Sequence, residues 1–299
     1  ISYTNLVNPV VDIVNCTFDE NGASGSYGDG AAVRCSGNQV TLTITNSTFN
    51  KNTANRYGGA VYTQGSVTIN QCVFTDNSAS AGDAIYAYGG TATIENSIIL
   101  EDGNAISRYE STYSDPATVT ANDNWWGSND APANIGSGIT VERWVRMDAG
   151  FTPISAQAGD DITVTATFDN DKLPDGVIKV TFTSTSGNLN EVVTVNDAQA
   201  SATYTIDISD LDVTATSGDV SVVMPIEAPS PVGTIYVSYE NGDDASDGLT
   251  ADTSVKTIAH AVELADAGIG KIILLEGTHV LGTTLQITKD LDIRGIGRS

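Results

Sequence analysis

The segment Asn241 to Asp247, with the sequence NGDDASD, holds a dense group of potential metal ligands. Asn241, Asp243, Asp244 and Asp247 offer the oxygen atoms that a hard cation such as calcium prefers. Acidic loops of this kind are also ordinary turns, and no downstream glutamate completes a recognised calcium-binding loop. Calcium is therefore a candidate cofactor at these four residues, and a turn without metal is the favoured alternative.

Tyr109 and Tyr113 give the segment SRYESTYSDP the features of a sugar-binding loop. Tyrosine combines a flat ring with a hydroxyl group, and polar neighbours accompany both tyrosines here. Exposed tyrosines are also common on extracellular loops, which is the alternative explanation. Loops 22–30 and 107–115 are therefore the predicted carriers of any ligand specificity, with surface glycans as the candidate ligands.

The three cysteines are candidates for disulfide cross-links. Cys16 and Cys72 occupy one column of the repeat described below, with Ser47 between them, which separates them by two coils, or about 9 to 10 Å. A disulfide needs Cα atoms within about 7 Å, so these two should not pair with each other. Cys35 belongs to another strand. We expect small buried core residues, and intermolecular disulfides that lock an assembly are the alternative.

Two sequons, at Asn15 and Asn46, are candidate glycosylation sites. Both asparagines fall at a corner of the repeat, where asparagine suits the backbone conformation. A structural role is therefore the favoured explanation for both.

A repeat runs through the first 125 residues and positions most of these side chains. One phrase occurs four times, as NCTFDEN, NSTFNKN, QCVFTDN and NSIILED. Its anchors Phe18, Phe49, Phe74 and Ile99 are 31, 25 and 25 residues apart, and a short strand with alternating apolar residues precedes each anchor. A period near 25 with several short strands predicts a β-solenoid, in which each repeat is one coil.

The repeat predicts where its residues lie in a parallel β-helix. Equivalent residues of neighbouring coils are about 4.8 Å apart, so the anchors should stack on one another inside the coils. The first unit is six residues longer than the next two, and we expect the extra residues in a protruding loop around SGSYGDG. The repeat stops after Trp125 and Trp126, which are expected to cover the open end; a ligand-stacking platform is the alternative.

Two further regions follow the β-helix, which we assign to residues 1–130. Residues 150–227 alternate with period two in short runs divided by turns, which predicts an immunoglobulin-like β-sandwich. The linker EAPSPVG leads to residues 233–299, where an amphipathic helix from Lys256 to Ala267 precedes short strands. This last region resembles the N-terminal cap and first coil of pectate-lyase-like β-helices.

The composition indicates an extracellular protein. The 299 residues contain 13 Lys and Arg against 37 Asp and Glu, a net charge of −24 that disfavours nucleic acid and anionic lipid as partners. No apolar run approaches the roughly 20 residues that span a bilayer, so no membrane insertion is expected. Because the chain opens on Ile1, we expect a mature product or an excised piece.

The phrases NxTFxxN and GGAVY, closed by NDNWWGSND, resemble the right-handed parallel β-helix surface proteins of methanogenic archaea. These are adhesin-like proteins with some relation to tubular sheath proteins. The resemblance covers about 190 residues, and it implies an extracellular structural or adhesive role without catalytic residues.

Polysaccharide cleavage, an activity of other β-helix proteins, has no support in the spacing of ionisable residues. Such sites need paired carboxylates, or calcium-binding carboxylates beside a base. Asp19 aligns with Asn50 and Thr75, so the acids form no column, and His260 and His279 have no evident acidic partner. We therefore predict no enzyme activity and no catalytic residues, with a polysaccharide lyase as the remote alternative.

The order of the regions leads to the predicted function. The chain begins within one β-helix and stops within the opening of another, so both tips are expected to invite strand addition. We predict an all-β structural protein of a sheath, surface layer or filament that associates with copies of itself end to end. A fragment of a longer array and intramolecular stacking are alternatives to assembly. The rival function is an adhesin or carbohydrate-binding stalk.

Overall fold

The computed structural model describes residues 9–110, 115–154, 156, 159–207, 209–226, 233–265, 270–282, 284–287 and 291–296. The chain divides into two compact units, residues 1–154 with 161–225 and residues 155–160 with 226–299. The first unit contains a parallel β-helix and an antiparallel sandwich, and the second contains a small parallel sheet and one α-helix. The predicted all-β fold class with one short helix is confirmed.

The β-helix is built from short strands that repeat in every coil. They are β1 (Val10–Val14), β2 (Thr17–Asp19), β3 (Gly22–Ala23), β4 (Val33–Cys35), β5 (Thr41–Thr45), β6 (Thr48–Asn50), β7 (Thr53–Ala54), β8 (Val61–Thr63), β9 (Ser66–Asn70), β10 (Val73–Thr75), β11 (Ile85–Ala87), β12 (Thr91–Glu95), β13 (Ile98–Leu100), β14 (Ile106–Arg108), β15 (Thr118–Asn122) and β16 (Ile139–Thr140). Coil 1 comprises β1–β4, coil 2 β5–β8, coil 3 β9–β11 and coil 4 β12–β14, and β15 opens coil 5.

Three parallel sheets form the faces of this stack of coils. Their strand orders are β1-β5-β9-β12-β15-β16 for the first sheet, β2-β6-β10-β13 for the second and β4-β8-β11-β14 for the third. Each strand pairs in parallel with the equivalent strand of the next coil. Paired strands are equivalent strands of successive coils and keep the same register. Their alternate apolar residues therefore point to the same side and form one continuous core.

The repeat anchors stack in register inside the second sheet. Phe18 pairs with Phe49 and Phe49 with Phe74, and Ile99 follows in the same column. The ring centroids of Phe18 and Phe49 are 4.9 Å apart and those of Phe49 and Phe74 are 4.8 Å apart, with nearly parallel planes. The coil-to-coil spacing of a β-helix is therefore also the stacking distance of its aromatic column.

The corner between the first and second sheets requires a left-handed backbone in every coil. Its column is Asn15, Asn46, Gln71, Asn96 and Asp123, with φ between 48° and 57°. Asparagine and aspartate tolerate this region better than most residues, which explains their recurrence before the anchor. The two sequon asparagines are therefore exposed members of a backbone column.

The six extra residues of coil 1 are shared between two turns, which corrects the expectation of one protruding loop. Residues 24–28 separate Ala23 from Asp29, where coil 2 has only residues 55–56. Residues 36–40 separate β4 from β5, where coil 2 has only residues 64–65 before β9. Three residues are added at each turn, because the strands between these turns keep their register.

Parallel pairing continues past residue 130, where the sequence analysis ended the β-helix. β16 pairs with β15, Ile135 bridges Ile106 and Trp144 bridges Asn124. Ile135, Ile139 and Trp144 pack against the core as partly buried residues. A partial further coil therefore lies over coil 5.

The sandwich contains two antiparallel sheets, an immunoglobulin-like arrangement. Its strands are β17 (Met147–Thr152), β18 (Asp161–Phe168), β19 (Lys179–Ser184), β20 (Asn190–Thr194), β21 (Gln199–Thr205), β22 (Asp212–Ser217) and β23 (Val220–Pro225). One sheet has the order β17-β18-β21 and the other β20-β19-β22-β23. Their inward residues alternate with outward ones, as period-two patterning requires.

The sandwich packs directly on the β-helix within the first unit. Trp125 faces out of the coil, and its ring meets Phe168 edge-on at 5.0 Å. The Asn170 side chain donates hydrogen bonds to the Asn96 side chain at 3.1 Å and to the Asp123 carbonyl at 2.9 Å. The left-handed corner column thus doubles as the docking surface for the turn after β18.

The second unit forms the sheet β24-β25-β26 with one helix against it. Its elements are β24 (Thr234–Val237), α1 (Ile258–Ala265), β25 (Lys271–Leu274) and β26 (Asp292–Gly295). Ala261, Val262 and Ala265 of α1 are buried, as the amphipathic pattern predicts. The strands pair in parallel, as in the start of a β-helix. The expected strand TLQIT is not one in its described residues 284–287, and most of the linker, 227–232, lies outside the described residues.

Candidate functional site

A ladder of polar side chains runs along the β-helix beside the phenylalanine column, from an exposed first member to three members buried inside the coils. This asparagine ladder comprises Asn21, Asn52, Asn77 and Glu101. Each amide donates to the oxygen of the next member, at 2.8 Å from Asn21, 2.9 Å from Asn52 and 2.7 Å from Asn77. The amide oxygens of Asn52 and Asn77 also accept backbone N–H groups, and the second carboxyl oxygen of Glu101 does the same. The ladder therefore satisfies polar groups of each coil with those of the next.

Glu101 ends the ladder with a carboxyl group where the earlier members have an amide. Its two oxygens accept from the side chain of Asn77 at 2.7 Å and from the backbone N–H of Asn77 at 2.8 Å. Burial raises the pKa of Glu101 to about 8, against the lowering effect of these two hydrogen bonds. Glu101 is therefore a titratable group inside a structural network.

A second aromatic layer covers the outside of the third sheet. We call it the tyrosine face, and it comprises Tyr57, Tyr62, Tyr86, Tyr88 and Tyr109. Tyr86 stacks on Tyr57 at 4.4 Å and lies 6.0 Å from Tyr62, while Tyr88 stacks on Tyr109 at 4.4 Å. Burial raises the pKa of Tyr86 to about 12. The layer is ordered by the register of the coils, because Tyr62 and Tyr86 are paired residues of β8 and β11.

A buried carboxylate fixes arginines along the same face. Asp29 is 2% exposed and accepts two hydrogen bonds of 2.7 Å from the guanidinium of Arg56, with Arg34 3.6 Å away. The Arg56 guanidinium lies 4.8 Å from the ring of Tyr57 and 5.3 Å from that of Tyr27. Loop 22–30 therefore reaches the tyrosine face, because Asp29 and Tyr27 belong to it.

A groove of about 410 Å³ opens where the tyrosine face meets the turn after coil 4. Tyr86 and Ser107 are its buried residues. Tyr57, Tyr109 and Arg108 also line it, together with Asn104, Glu110 and Ser137. The groove combines aromatic surface with hydroxyl, amide and charged groups, which is the composition of a site for a small polar ligand.

The structure brings part of the predicted sugar-binding loop to this groove. Tyr109 lines it and is stacked on Tyr88. Tyr113 lies outside the described residues.

The Asp-rich loop directs its carboxylates to backbone groups. Asp244 accepts from the N–H groups of Lys256 and Thr257, both at 2.8 Å, just before α1. Asp247 accepts from the Thr253 hydroxyl at 2.6 Å. These bonds fix the turn, and in the described residues no group of three His, Cys, Asp or Glu side chains could hold a metal ion. Asn241 and Asp243 lie in the same exposed turn.

The cysteines occupy core positions, and all three are free thiols. Cys35 and Cys72 are buried and Cys16 is partly buried. Burial raises the pKa of Cys72 to about 11 and also raises that of Cys35, so both thiols resist ionisation. Ser47 takes the equivalent position between Cys16 and Cys72, and each of the three donates to the carbonyl two residues earlier.

His260 has an acidic neighbour that the sequence analysis did not identify. Its Nδ1 lies 3.3 Å from the carboxylate of Glu263, one turn further along α1. The helical spacing of three residues is the signal that would have found this pair. His279 contacts the Leu275 carbonyl instead, so the two histidines share no site.

Sequence analysis missed Glu101 and the tyrosine face, although both leave a signal. The fourth phrase, NSIILED, has Glu101 two residues after its anchor instead of an asparagine three residues after it. Tyr62 and Tyr86 occupy the same place in YGGAVY and AGDAIY. Their neighbours Tyr57, Tyr88 and Tyr109 come from other columns, so only the fold brings them together.

One comparison with known families gave a match. Residues 46–64 match the model of the Chlamydia polymorphic membrane protein repeat. This segment contains β6, β7 and β8 and includes the phrase NSTFNKN and the step GGAVY. The match supports a β-helix with surface-protein character and gives no support to an archaeal origin or a sheath. No curated protein and no solved structure matches the chain.

The described part of the chain contains no helix long and apolar enough to span a bilayer.

Proposed function

We propose that this chain is a structural protein of the extracellular surface, in which the β-helix is a stable scaffold that associates with copies of itself. The observation that carries the proposal is the unbroken run of columns through the coils. The phenylalanine column spans coils 1 to 3 with a ring contact at each step, and Ile99 continues it in coil 4. The asparagine ladder spans coils 1 to 4 with a hydrogen bond at each step. Such columns favour stacking of further coils on the same register.

Self-association has a candidate surface in coil 1. Strands β1, β2 and β4 are the outermost strands of their sheets in the described part of the chain. The carbonyl of Pro9 accepts from Thr41 of coil 2, and alternate residues face opposite edges, so the N–H of Asp12 points away from coil 2. In the described part of the chain, this edge therefore presents backbone groups that have no strand partner, and a coil of another copy can pair with them.

The proposed role is not catalytic. Glu101, whose pKa is raised as in many general acids, uses both oxygens within the asparagine ladder. Asp19 accepts a hydrogen bond from Asn50, its column neighbour. These contacts give both acids a structural use, which supports a structural role over polysaccharide cleavage at these two residues.

An edge variant tests the self-association. Asp12→Pro removes an N–H group at the free edge, a position where strands tolerate proline, and Asp12→Ala is the matched control that keeps it. We expect the wild type and Asp12→Ala to associate in sedimentation velocity and electron microscopy, and Asp12→Pro to remain smaller. A wild type that stays monomeric at all concentrations contradicts the proposal, and so does equal association of the two variants.

A further inference from the structure

We propose that the groove between Tyr57, Tyr86 and Tyr109 binds a neutral glycan. This inference goes beyond the structural role and rests on a different surface, the outside of the third sheet. The groove volume of about 410 Å³ falls within the range of roughly 300 to 1,000 Å³ that is typical of small-ligand sites.

The aromatic surface of the groove is held in place before any ligand binds. Tyr86 is buried and stacked on Tyr57, and Tyr109 is stacked on Tyr88. The paired rings lose little conformational freedom on binding, which removes one of the usual costs of association. Sugars present apolar C–H faces beside their hydroxyl groups, and tyrosine presents a ring beside its own hydroxyl.

Polar groups around these rings suit a ligand rich in hydroxyl groups. Asn104 and Ser107 supply an amide and a hydroxyl, each of which both donates and accepts hydrogen bonds. The Arg108 guanidinium is fixed by hydrogen bonds of 3.0 Å to the carbonyls of Ser137 and Ala117. A purely apolar ligand would give the Asn104 amide and the Ser107 hydroxyl no hydrogen-bond partner, so the composition favours a carbohydrate.

The charge of the site and of the chain favours a neutral glycan over a charged one. Arg108 and Glu110 both line the groove, so it holds one cationic and one anionic group. The net charge of −24 repels a polyanionic glycan at long range. A cationic ligand would meet Arg108 inside the groove.

Binding of the full chain to an array of neutral and acidic oligosaccharides tests the inference, followed by calorimetry with the neutral oligosaccharide that binds best. We expect Tyr109→Ala to weaken binding at least about tenfold, as for an aromatic residue at the centre of a contact. Tyr239→Ala, which removes an exposed tyrosine of the other compact unit, should leave affinity unchanged.

A second variant separates loss of the site from loss of the fold. Tyr57→Ala removes a ring from the groove without removing the Tyr88–Tyr109 stack, and it should also weaken binding while the far-ultraviolet circular dichroism stays that of the wild type. The inference is overturned if no neutral glycan binds, if only acidic glycans bind, or if both variants keep wild-type affinity. Self-association of the Asp12 variants is a separate readout, so either proposal can fail alone.

Discussion

The β-helix and the sandwich both bury a carboxyl group, and they treat it in opposite ways. Glu101 lies at the end of the asparagine ladder, where burial raises its pKa to about 8. Burial also acts to raise the pKa of Asp210 in the sandwich, but hydrogen bonds donated by Tyr204, Ser186 and Asp207 outweigh it and lower the pKa to about 2. The first group is held as a neutral acid and the second as an anion.

The difference follows from how each region arranges its polar groups. In the asparagine ladder of the β-helix, Asn21 and Asn52 each donate to an equivalent asparagine one coil away, so a polar group is satisfied by a copy of itself. In the sandwich the network around Asp210 occurs once and is supplied by loops between strands. A change in the β-helix should therefore affect neighbouring coils, whereas a change in the sandwich should stay local.

The largest loss of stability is expected from removing a ring from the phenylalanine column. Phe49 is fully buried between Phe18 and Phe74, so Phe49→Ala should lower the free energy of unfolding by about 3 to 5 kcal/mol. Phe182→Ala, at an equally buried site of the sandwich, is the matched variant. Urea denaturation measures both. A loss below about 1 kcal/mol for Phe49→Ala would mean that the column is not packed.

The asparagine ladder should come next. Asn52→Leu keeps the approximate volume but leaves the Phe18 carbonyl and the Asn21 amide without their partner inside the coil. We expect a loss of about 2 to 4 kcal/mol, since each buried group left unsatisfied costs about 1 to 3 kcal/mol. Asn50→Leu, two residues earlier, loses partly exposed hydrogen bonds to Asp19 and from Thr75, whose groups solvent can reach, and should cost only about 1 kcal/mol. Equal losses in denaturation would show that the inner ladder has no special role.

Glu101→Gln should raise the free energy of unfolding near neutral pH, whereas the two preceding variants lower it. The folded chain keeps a proton on Glu101 that the unfolded chain releases between pH 4.5 and about 8, so the wild-type free energy of unfolding falls as pH rises through that window. Glutamine stays neutral. The variant should be more stable than the wild type at pH 8, on the order of 2 kcal/mol, and this advantage should vanish near pH 4.5. A difference that is constant with pH contradicts the raised pKa.

Asp210→Asn should show the opposite pH dependence with a smaller amplitude. The pKa of Asp210 is depressed in the folded state, so its stabilising effect is present above pH 3.8 and is lost as pH falls towards 2. The variant should cost about 1 to 2 kcal/mol at pH 7, because a charge-assisted acceptor of the Ser186 N–H is weakened. Thermal unfolding at several pH values measures the gap, which should close below pH 3.8. A gap that widens with acid would refute the assignment.

The sequence predicts those parts of the fold whose contacts between distant residues leave a local sequence pattern. The anchors Phe18, Phe49 and Phe74 predict the β-helix because a repeat carries long-range register within a local pattern. The sandwich follows from period-two alternation, which is regular in β18 and β22 and absent from the burial of β20. The resemblance to methanogen surface proteins gives the same fold class, and the family match supports its surface character but not its source.

Most residues of the candidate site could not be predicted from the sequence. Tyr109 was identified, but its partners Tyr57 and Tyr86 come from other coils and become neighbours through the third sheet. The Asp-rich loop, a calcium candidate for which a turn without metal was favoured, has carboxylates at 243–247 that accept hydrogen bonds from the local backbone. Spacing in sequence does not distinguish an oxygen that caps a turn from one that is free for a cation.

Hydrogen exchange on the Asn52→Leu variant tests most directly whether columns couple the coils into one scaffold. The account predicts that amide protection falls in coil 1 at residues 17–23 and in coil 3 at residues 73–78, as well as at the mutated coil, while strands β18 and β21 exchange as in the wild type. A loss of protection confined to residues 48–54, or one that spreads equally into the sandwich, would contradict it.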